Sequence, residues 1–199
     1  MKKILLSAVA VMAFGAAAQA QEMKFGVKAG LNIANQGSDA ETEGSRMGLH
    51  IGGVAEFKLS ENFSIQPELL YSMMGSKVNT ITEDLTVEEV DNKLDYLTLP
   101  VLAKYYIMEG LSLEAGPYVG FLMSAKQEDT DIKDGIKSID FGLNAGVAYD
   151  LPMGVFFQAR YVLGLSDIND AGDTEIGGVT YEAPKVTNNG LQISVGYKF

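Results

Sequence analysis

Along most of this chain, apolar and polar residues alternate with a period of two. The pattern is cleanest over residues 188–199. There Leu191, Ile193, Val195, Tyr197 and Phe199 fall on one parity, and Gln192, Ser194, Gly196 and Lys198 on the other. Successive side chains of a strand point to opposite faces, so this stretch predicts a strand with one wholly apolar face. No later element of the chain is there to cover that face. The stretch alone fits two structures equally: the closing strand of an outer-membrane barrel, or the last strand of a soluble sandwich.

Seven earlier segments repeat the alternation. Residues 24–35 set Phe25, Val27, Ala29, Leu31 and Ile33 against Gly26, Lys28, Gly30 and Asn32. Residues 46–59 set Met47, Leu49, Ile51, Ala55 and Phe57 against His50, Gly52, Glu56 and Lys58. Residues 62–76 set Phe63, Ile65, Leu69, Tyr71 and Met73 against Ser64, Gln66, Glu68 and Ser72, with Pro67 on the apolar parity. Proline lacks a ladder donor, so a bulge is expected there. Residues 94–107 carry Leu97, Leu99, Val101, Ala103, Tyr105 and Ile107 opposite Thr98, Lys104 and Tyr106. Residues 111–125 carry Leu113, Ala115, Val119, Phe121 and Met123 opposite Ser112, Glu114, Gly116 and Gly120. In 138–151, Ile139, Phe141, Leu143, Ala145, Val147 and Tyr149 face away from Asp140, Gly142, Asn144 and Gly146. In 155–166, Phe157, Ala159, Tyr161, Leu163 and Leu165 face away from Gln158, Arg160 and Gly164.

The connections alternate in length. Residues 60–62, 108–110 and 152–154 are tight turns, whereas 36–45, 77–93, 126–137 and 167–187 read as long polar loops. Outer-membrane barrels have short periplasmic turns, long outer loops and an even number of strands. A soluble sandwich has no reason to keep that register. The aromatics agree. Phe25, Phe57, Phe63, Tyr105, Tyr149, Phe157, Tyr197 and Phe199 lie near the short-turn ends, and Tyr71, Phe121 and Phe141 toward the long loops. A tilted strand climbs roughly 20 Å between Phe63 and Tyr71, close to the height of an outer-membrane apolar band. In a lipocalin the large apolar residues would point inward around a ligand. Here the opposite parity carries Lys28, Glu56, Glu68, Lys104, Glu114, Asp140 and Arg160, which cannot face lipid. The expected fold is all-β: an eight-stranded antiparallel up-and-down transmembrane β-barrel over residues 21–199, closed by pairing its first and last strands.

Composition narrows the function. The formal net charge is −11, which repels a nucleic-acid backbone, so no nucleic-acid partner is expected. No cysteine is present, so there is no disulfide, zinc thiolate or thiol nucleophile. Mean hydropathy is only +0.08, and no apolar run beyond the N-terminus is long enough to span a bilayer as a helix. Residues 1–20 read as a secretory signal peptide: Lys2 and Lys3, an apolar stretch over 4–17, then an Ala18-Gln19-Ala20 cleavage site. Export through the Sec pathway to the outer membrane follows. Loss of the leader makes the charge more negative by two, since it carries two lysines and no acid.

Several stretches resemble the PorT-type outer membrane protein β-barrel family of Bacteroidetes, a porin-family relative of the OmpX/OmpA-like eight-stranded barrels. They are G-V-K-A-G-L-N-I-A-N (26–35), I-Q-P-E-L-L-Y-S (65–72), Y-L-T-L-P-V-L-A-K-Y-Y (96–106), E-A-G-P-Y-V-G (114–120), A-R-Y-V-L-G-L (159–165) and I-S-V-G-Y-K-F (193–199). The likeness runs through essentially all of 21–199. It departs at Thr98, where the family often has Glu. The resemblance implies fold and location. Some members are linked to protein secretion, and nothing in these residues singles out that role.

An eight-stranded barrel is only wide enough to hold its own side chains, so its inward charges must pair. Glu68, Glu114 and Glu56 against Arg160, Lys104 and Lys28 form a nearly balanced set, with Asp140 above them. This lumen network is expected to be a structural plug; the alternative is a small or gated diffusion pore. His50, the only histidine, shares the lumen parity and reads as a filler, so no catalytic residue and no enzyme activity are expected. The long loops are acidic, from Asp39, Glu41 and Glu43 through Glu83, Asp84, Glu88, Glu89 and Asp91, then Glu128, Asp129, Asp131 and Asp134, to Asp167, Asp170, Asp173, Glu175 and Glu182. The run 129–135 looks like a calcium loop but lacks the ligand spacing, so no metal and no cofactor is expected. The expected partners are outer-membrane lipid and lipopolysaccharide, and the barrel-assembly machinery, reached through a C-terminal signal at Tyr197 and Phe199. A surface partner or a secretion machine is a further possibility. A non-catalytic structural or surface-interaction protein is the reading these residues favour, with no peptidoglycan-binding domain after the barrel.

Overall fold

The structure, a computed structural model, describes residues 22–38, 44–81, 87–127, 130–171, 174–176, 179–181 and 183–199. Eight long strands make one cylinder: β1 (Met23–Ser38), β2 (Gly44–Ser60), β3 (Phe63–Ile81), β4 (Val87–Met108), β5 (Leu111–Gln127), β6 (Ile139–Asp150), β7 (Val155–Gly164) and β8 (Val186–Lys198). Each is antiparallel to the next, β4 pairs β5, and β1 pairs β8 from Gly26↔Lys198 to Ser38↔Val186, so the barrel is closed. The fold is the eight-stranded up-and-down barrel that the alternation predicts. No helix among the described residues is long and apolar enough to cross a membrane. The strands do so instead, each giving every second residue to lipid and the others to the lumen.

Across the middle of the barrel the outward parity is apolar. Val27, Leu31, Ile51, Leu69, Val101, Leu113, Phe141, Tyr161 and Ile193 are all exposed on the outer wall. In water such a wall would be an aggregation surface, and in lipid it is the solvated face. At one end the strands are joined by tight turns, two of which require glycine. Gly110 has φ +78° and Gly154 φ +92°, a region where other residues are strained. A Cβ at Gly110 would also lie 2.5 Å from the carbonyl oxygen of Asp150.

At the other end the connections differ from the sequence reading. Residues 77–81 and 87–93 are strand and not loop: β3 and β4 stay in register up to Ile81↔Val87, making a hairpin taller than its neighbours. A strand that leaves the bilayer has water on both faces, so it needs no greasy parity and loses the signal that marked it below. The last connection is also partly structured. It carries a small ladder between Thr174–Ile176 and Val179–Tyr181, and a bridge between Asn169 and Ile136. The 126–137 connection contains a short strand, Thr130–Asp131, and one 3-10 turn, Lys133–Gly135.

Pro67 makes no bulge. Its pairing with Val101 is in step with Leu70↔Thr98, and the shifts on β3 occur near its ends, beside Ser76 and Phe63. An irregularity of more consequence lies between β4 and β5, where Asp95 pairs Ser124 but Tyr96 pairs Leu122. Met123 is the extra residue. The shift changes the parity of β5, so Leu122 and Ala125 both point inward.

Candidate functional site

The lumen is filled in layers. Its floor, at the short-turn end, is a knot of ions in which Lys198 Nζ lies 2.5 Å from both Glu56 Oε2 and Asp150 Oδ1. Lys104 Nζ is 3.0 Å from Asp150 Oδ2 and 3.7 Å from Glu56 Oε2, and the Tyr106 hydroxyl donates to Glu56. Lys198 also sits over the Phe156 ring, 4.7 Å from its centre. Below this knot a cavity of about 840 Å³ opens outward between the turns.

The middle layer is organised around Glu68, whose Oε2 lies 2.8 Å from Lys28 Nζ and 2.9 Å from Arg160 Nη1. All three are buried. Amide side chains complete the layer: Gln66 donates to Glu68 at 2.8 Å, Arg160 Nε to Gln192 at 2.7 Å, and Lys28 to Gln158 at 2.5 Å. Glu114 makes no ion pair among the described residues; it accepts from Gln158 Nε2 at 2.6 Å, and its Oε1 has no hydrogen-bond partner among them. The Arg160 side chain can lie across the lumen because Gly146 is beside it. A Cβ there would approach Arg160 Cβ to 2.5 Å.

Beside this layer His50 bridges two strands. Its Nδ1 is 2.8 Å from Asn32 Oδ1 and its Nε2 is 2.7 Å from Ser194 Oγ. Asn32 Nδ2 already donates to Met73 O at 2.8 Å and Ser72 Oγ at 3.0 Å, which leaves Oδ1 to accept the Nδ1–H. Nε2 then accepts from Ser194, the hydrogen-bond order of a nucleophile, a base and its orienting group. All three are buried among lumen side chains, and neither cavity described here reaches them.

Asp140 heads the next layer. It accepts from Ser166 Oγ at 2.5 Å, and from Tyr118 OH and Asn188 Nδ2 at 3.1 Å each. A void of about 20 Å³ lies between Asp140, Tyr118, Arg160 and Asn144, whose Nδ2 is buried without a protein partner. That is room for one water. Over it the lumen becomes apolar: Ala34, Met74, Leu94, Tyr96, Leu122, Ala125 and Ile168 form a buried cluster, with Ile132, Ile136 and Val186 packed against it. Ile168 comes from the last connection, which folds back over the barrel mouth. Asp167 holds that fold. Its Oδ1 accepts the backbone N–H groups of Val186 and Asn169 at 3.0 Å, and its Oδ2 meets Lys137 Nζ at 3.0 Å. The N–H of Val186 first, then Lys137 and the N–H of Asn169, hold its carboxyl below the usual aspartate range against the opposing effect of burial.

Lys28, Glu56, Glu68, Lys104, Arg160, Glu114 and Asp140 thus line one lumen in three layers. Sequence reasoning left out Lys198 and Asp150, although Lys198 lies on the polar parity of β8. It also missed the apolar cap. Tyr197 and Phe199 are exposed on the outer wall and rim, and Phe199 N bonds to Phe25 O at 2.8 Å. The proposed leader (1–20) and the loop acids Asp39, Glu41, Glu43, Glu83, Asp84, Glu128, Asp129, Asp173 and Glu182 lie outside the described residues. Among the described residues no group of three His, Cys, Asp or Glu side chains could hold a metal.

The family model described as outer membrane protein beta-barrel domain matches residues 18–170. Among solved structures, the neisserial surface protein A is similar at 18% identity with a TM-score of 0.57, covering 88% of this chain and 97% of that one. The attachment invasion locus protein of Yersinia pestis, in complex with the heparin analogue sucrose octasulfate, is similar at 16% identity with a TM-score of 0.51, covering 89% and 99%. No curated protein matches the chain.

Proposed function

Because the chain belongs to the outer membrane protein β-barrel domain family and resides in the outer membrane, we propose that it serves there as a non-catalytic, plugged barrel whose outer loops are its working surface. The observation that carries this is the closed lumen. The void between the charge layers and the apolar cap is about 20 Å³, and above it Leu94 and Ile168 are fully buried. An ion crossing would have to break the Glu68 trio and then pass through the cap, and moving a charge through an apolar layer costs many kcal/mol. The seven lumen charges act, on this reading, as a structural plug together with Lys198 and Asp150.

The reading extends to partners. Tyr197 and Phe199 at the end of β8 offer the barrel-assembly machinery an exposed aromatic edge, and the apolar wall takes lipid and lipopolysaccharide. The acidic loops stand outward, as the short-turn, long-loop asymmetry of such barrels implies. The PorT-type, Bacteroidetes assignment rests on the sequence motifs alone. The Ser194–His50–Asn32 chain is read as a structural bridge, since a hydrolase needs substrate at the serine and this serine is buried.

Planar-bilayer conductance of the refolded mature barrel tests the proposal. Silence from a preparation that shows a heat-modifiable gel band is the expected result. Discrete, reproducible channels would overturn it in favour of a diffusion pore. Co-purification of a stoichiometric envelope partner would instead place the barrel in a larger machine, such as a secretion apparatus.

A further inference from the structure

The outer wall carries a cluster of cations where its apolar belt ends on the long-loop side. Lys93 on β4 and Lys126 on β5 are directly opposite each other, and both side chains are exposed. Cβ atoms of such a pair stand about 4.5–5.5 Å apart, and like charges in that position repel. Neither lysine has an ion-pair partner among the described residues. Lys133 adds a third ammonium from the 3-10 turn, its Nζ donating to Met123 O on β5 at 3.2 Å.

Two of the neighbouring acids have other partners. Asp131 pairs with Lys126 in the short ladder, yet its Oδ1 accepts the backbone N–H of Lys133 at 2.9 Å. Asp95, on the same wall, accepts from Tyr71 OH at 2.8 Å. Past the Asp95↔Ser124 pair the surface toward the bilayer is apolar, with Met123, Phe121 and Leu99 exposed. The ammonium groups therefore stand at the height where acyl chains give way to headgroups.

We propose that Lys93, Lys126 and Lys133 form a site for the phosphate of a phosphorylated outer-leaflet lipid, its acyl chains lying along Phe121, Met123 and Leu99. A shared anion removes the Lys93–Lys126 repulsion, and the greasy strip beneath them selects a lipid over free phosphate. The inference rests on the outward orientation of the long loops assumed above.

The test is native mass spectrometry of the folded, detergent-held full barrel titrated with lipid A, with dephosphorylated lipid A, and with lipid A in the presence of inorganic phosphate. Phosphorylated lipid A should bind the natural chain, and K93Q/K126Q/K133Q should weaken that binding about a hundredfold, at roughly 1 kcal/mol per lysine. Dephosphorylated lipid A should bind both chains equally weakly. Equal binding of lipid A to both chains overturns the site, and so does full competition by equimolar inorganic phosphate. A second variant, K24Q/K58Q, carries its changes at the short-turn end. If it alone loses the lipid, the orientation is wrong as well; if neither variant does, only the lysine site fails.

Discussion

At the scale of single residues, Glu68 decides the most. Its carboxylate sits between two buried cations in the middle of the lumen, so Glu68→Gln leaves Lys28 and Arg160 buried and facing each other. Breaking such a group costs about 3–5 kcal/mol, whereas exchanging all of its members for apolar residues of similar size is close to neutral. The expected outcome is a large drop in the urea midpoint for Glu68→Gln, with much of it recovered in a Lys28→Met, Glu68→Leu, Arg160→Met triple variant. Equal midpoints for Glu68→Gln and the natural chain would refute the ionic plug. Asn144 gives a second prediction. One long-lived water should bond its Nδ2 in the ~20 Å³ void, visible by crystallography or by water–amide NMR, and a dry void would contradict it. Asp167 gives a third, with a definite sign. Its folded pKa is depressed, so the stability it lends is complete above the unfolded value near pH 4 and is lost as pH falls through the lower folded value. Limited proteolysis of the last connection should therefore quicken in strong acid. Asp167→Asn should show the faster cleavage already at neutral pH.

At the scale of elements, the strands were legible wherever lipid touches one face, because lipid demands an apolar residue at every second position. They were illegible where that demand stops. The Val78–Ile81 and Val87–Asp91 arms lie past the apolar alternation, and only their β-branched residues hinted at strand. The β5 part of the apolar cap, Leu122 and Ala125, escaped notice for a different reason: the extra residue at Met123 swaps the faces of β5, and no two-residue period can be read across such a shift. The lumen charges on regular strands were readable, but their partners were not, since alternation gives the face of a residue and not its height. Lys198 and Asp150 meet because β8 and β6 end at the same level. Tight turns are the elements most open to a direct test. Gly110→Ala combines a strained φ with a close approach to Asp150 O, and should cost about 1–2 kcal/mol and lower refolding yield. An unchanged yield would mean that the turn relaxes at little cost.

At the scale of the whole molecule, the barrel is a cylinder with an oily outside, an ionic middle and an oily lid. Each part answers a different solvent: lipid outside, the chain's own charges within, and water at the lid. The cylinder is joined along one line, the ladder of β1 with β8, whose partners run from Gly26↔Lys198 to Ser38↔Val186. Every other neighbour pair is close in sequence, so seven of the eight seams can form as hairpins do, from local encounters. The eighth cannot form until the first strand has waited, with its edge hydrogen bonds open, for the last strand to arrive. Bringing those ends together carries the largest loop-closure entropy in the chain, and it comes after all the others. Insertion is therefore an all-or-none event timed by the final strand, and whatever holds the edge of β1 in the meantime controls the fate of the protein.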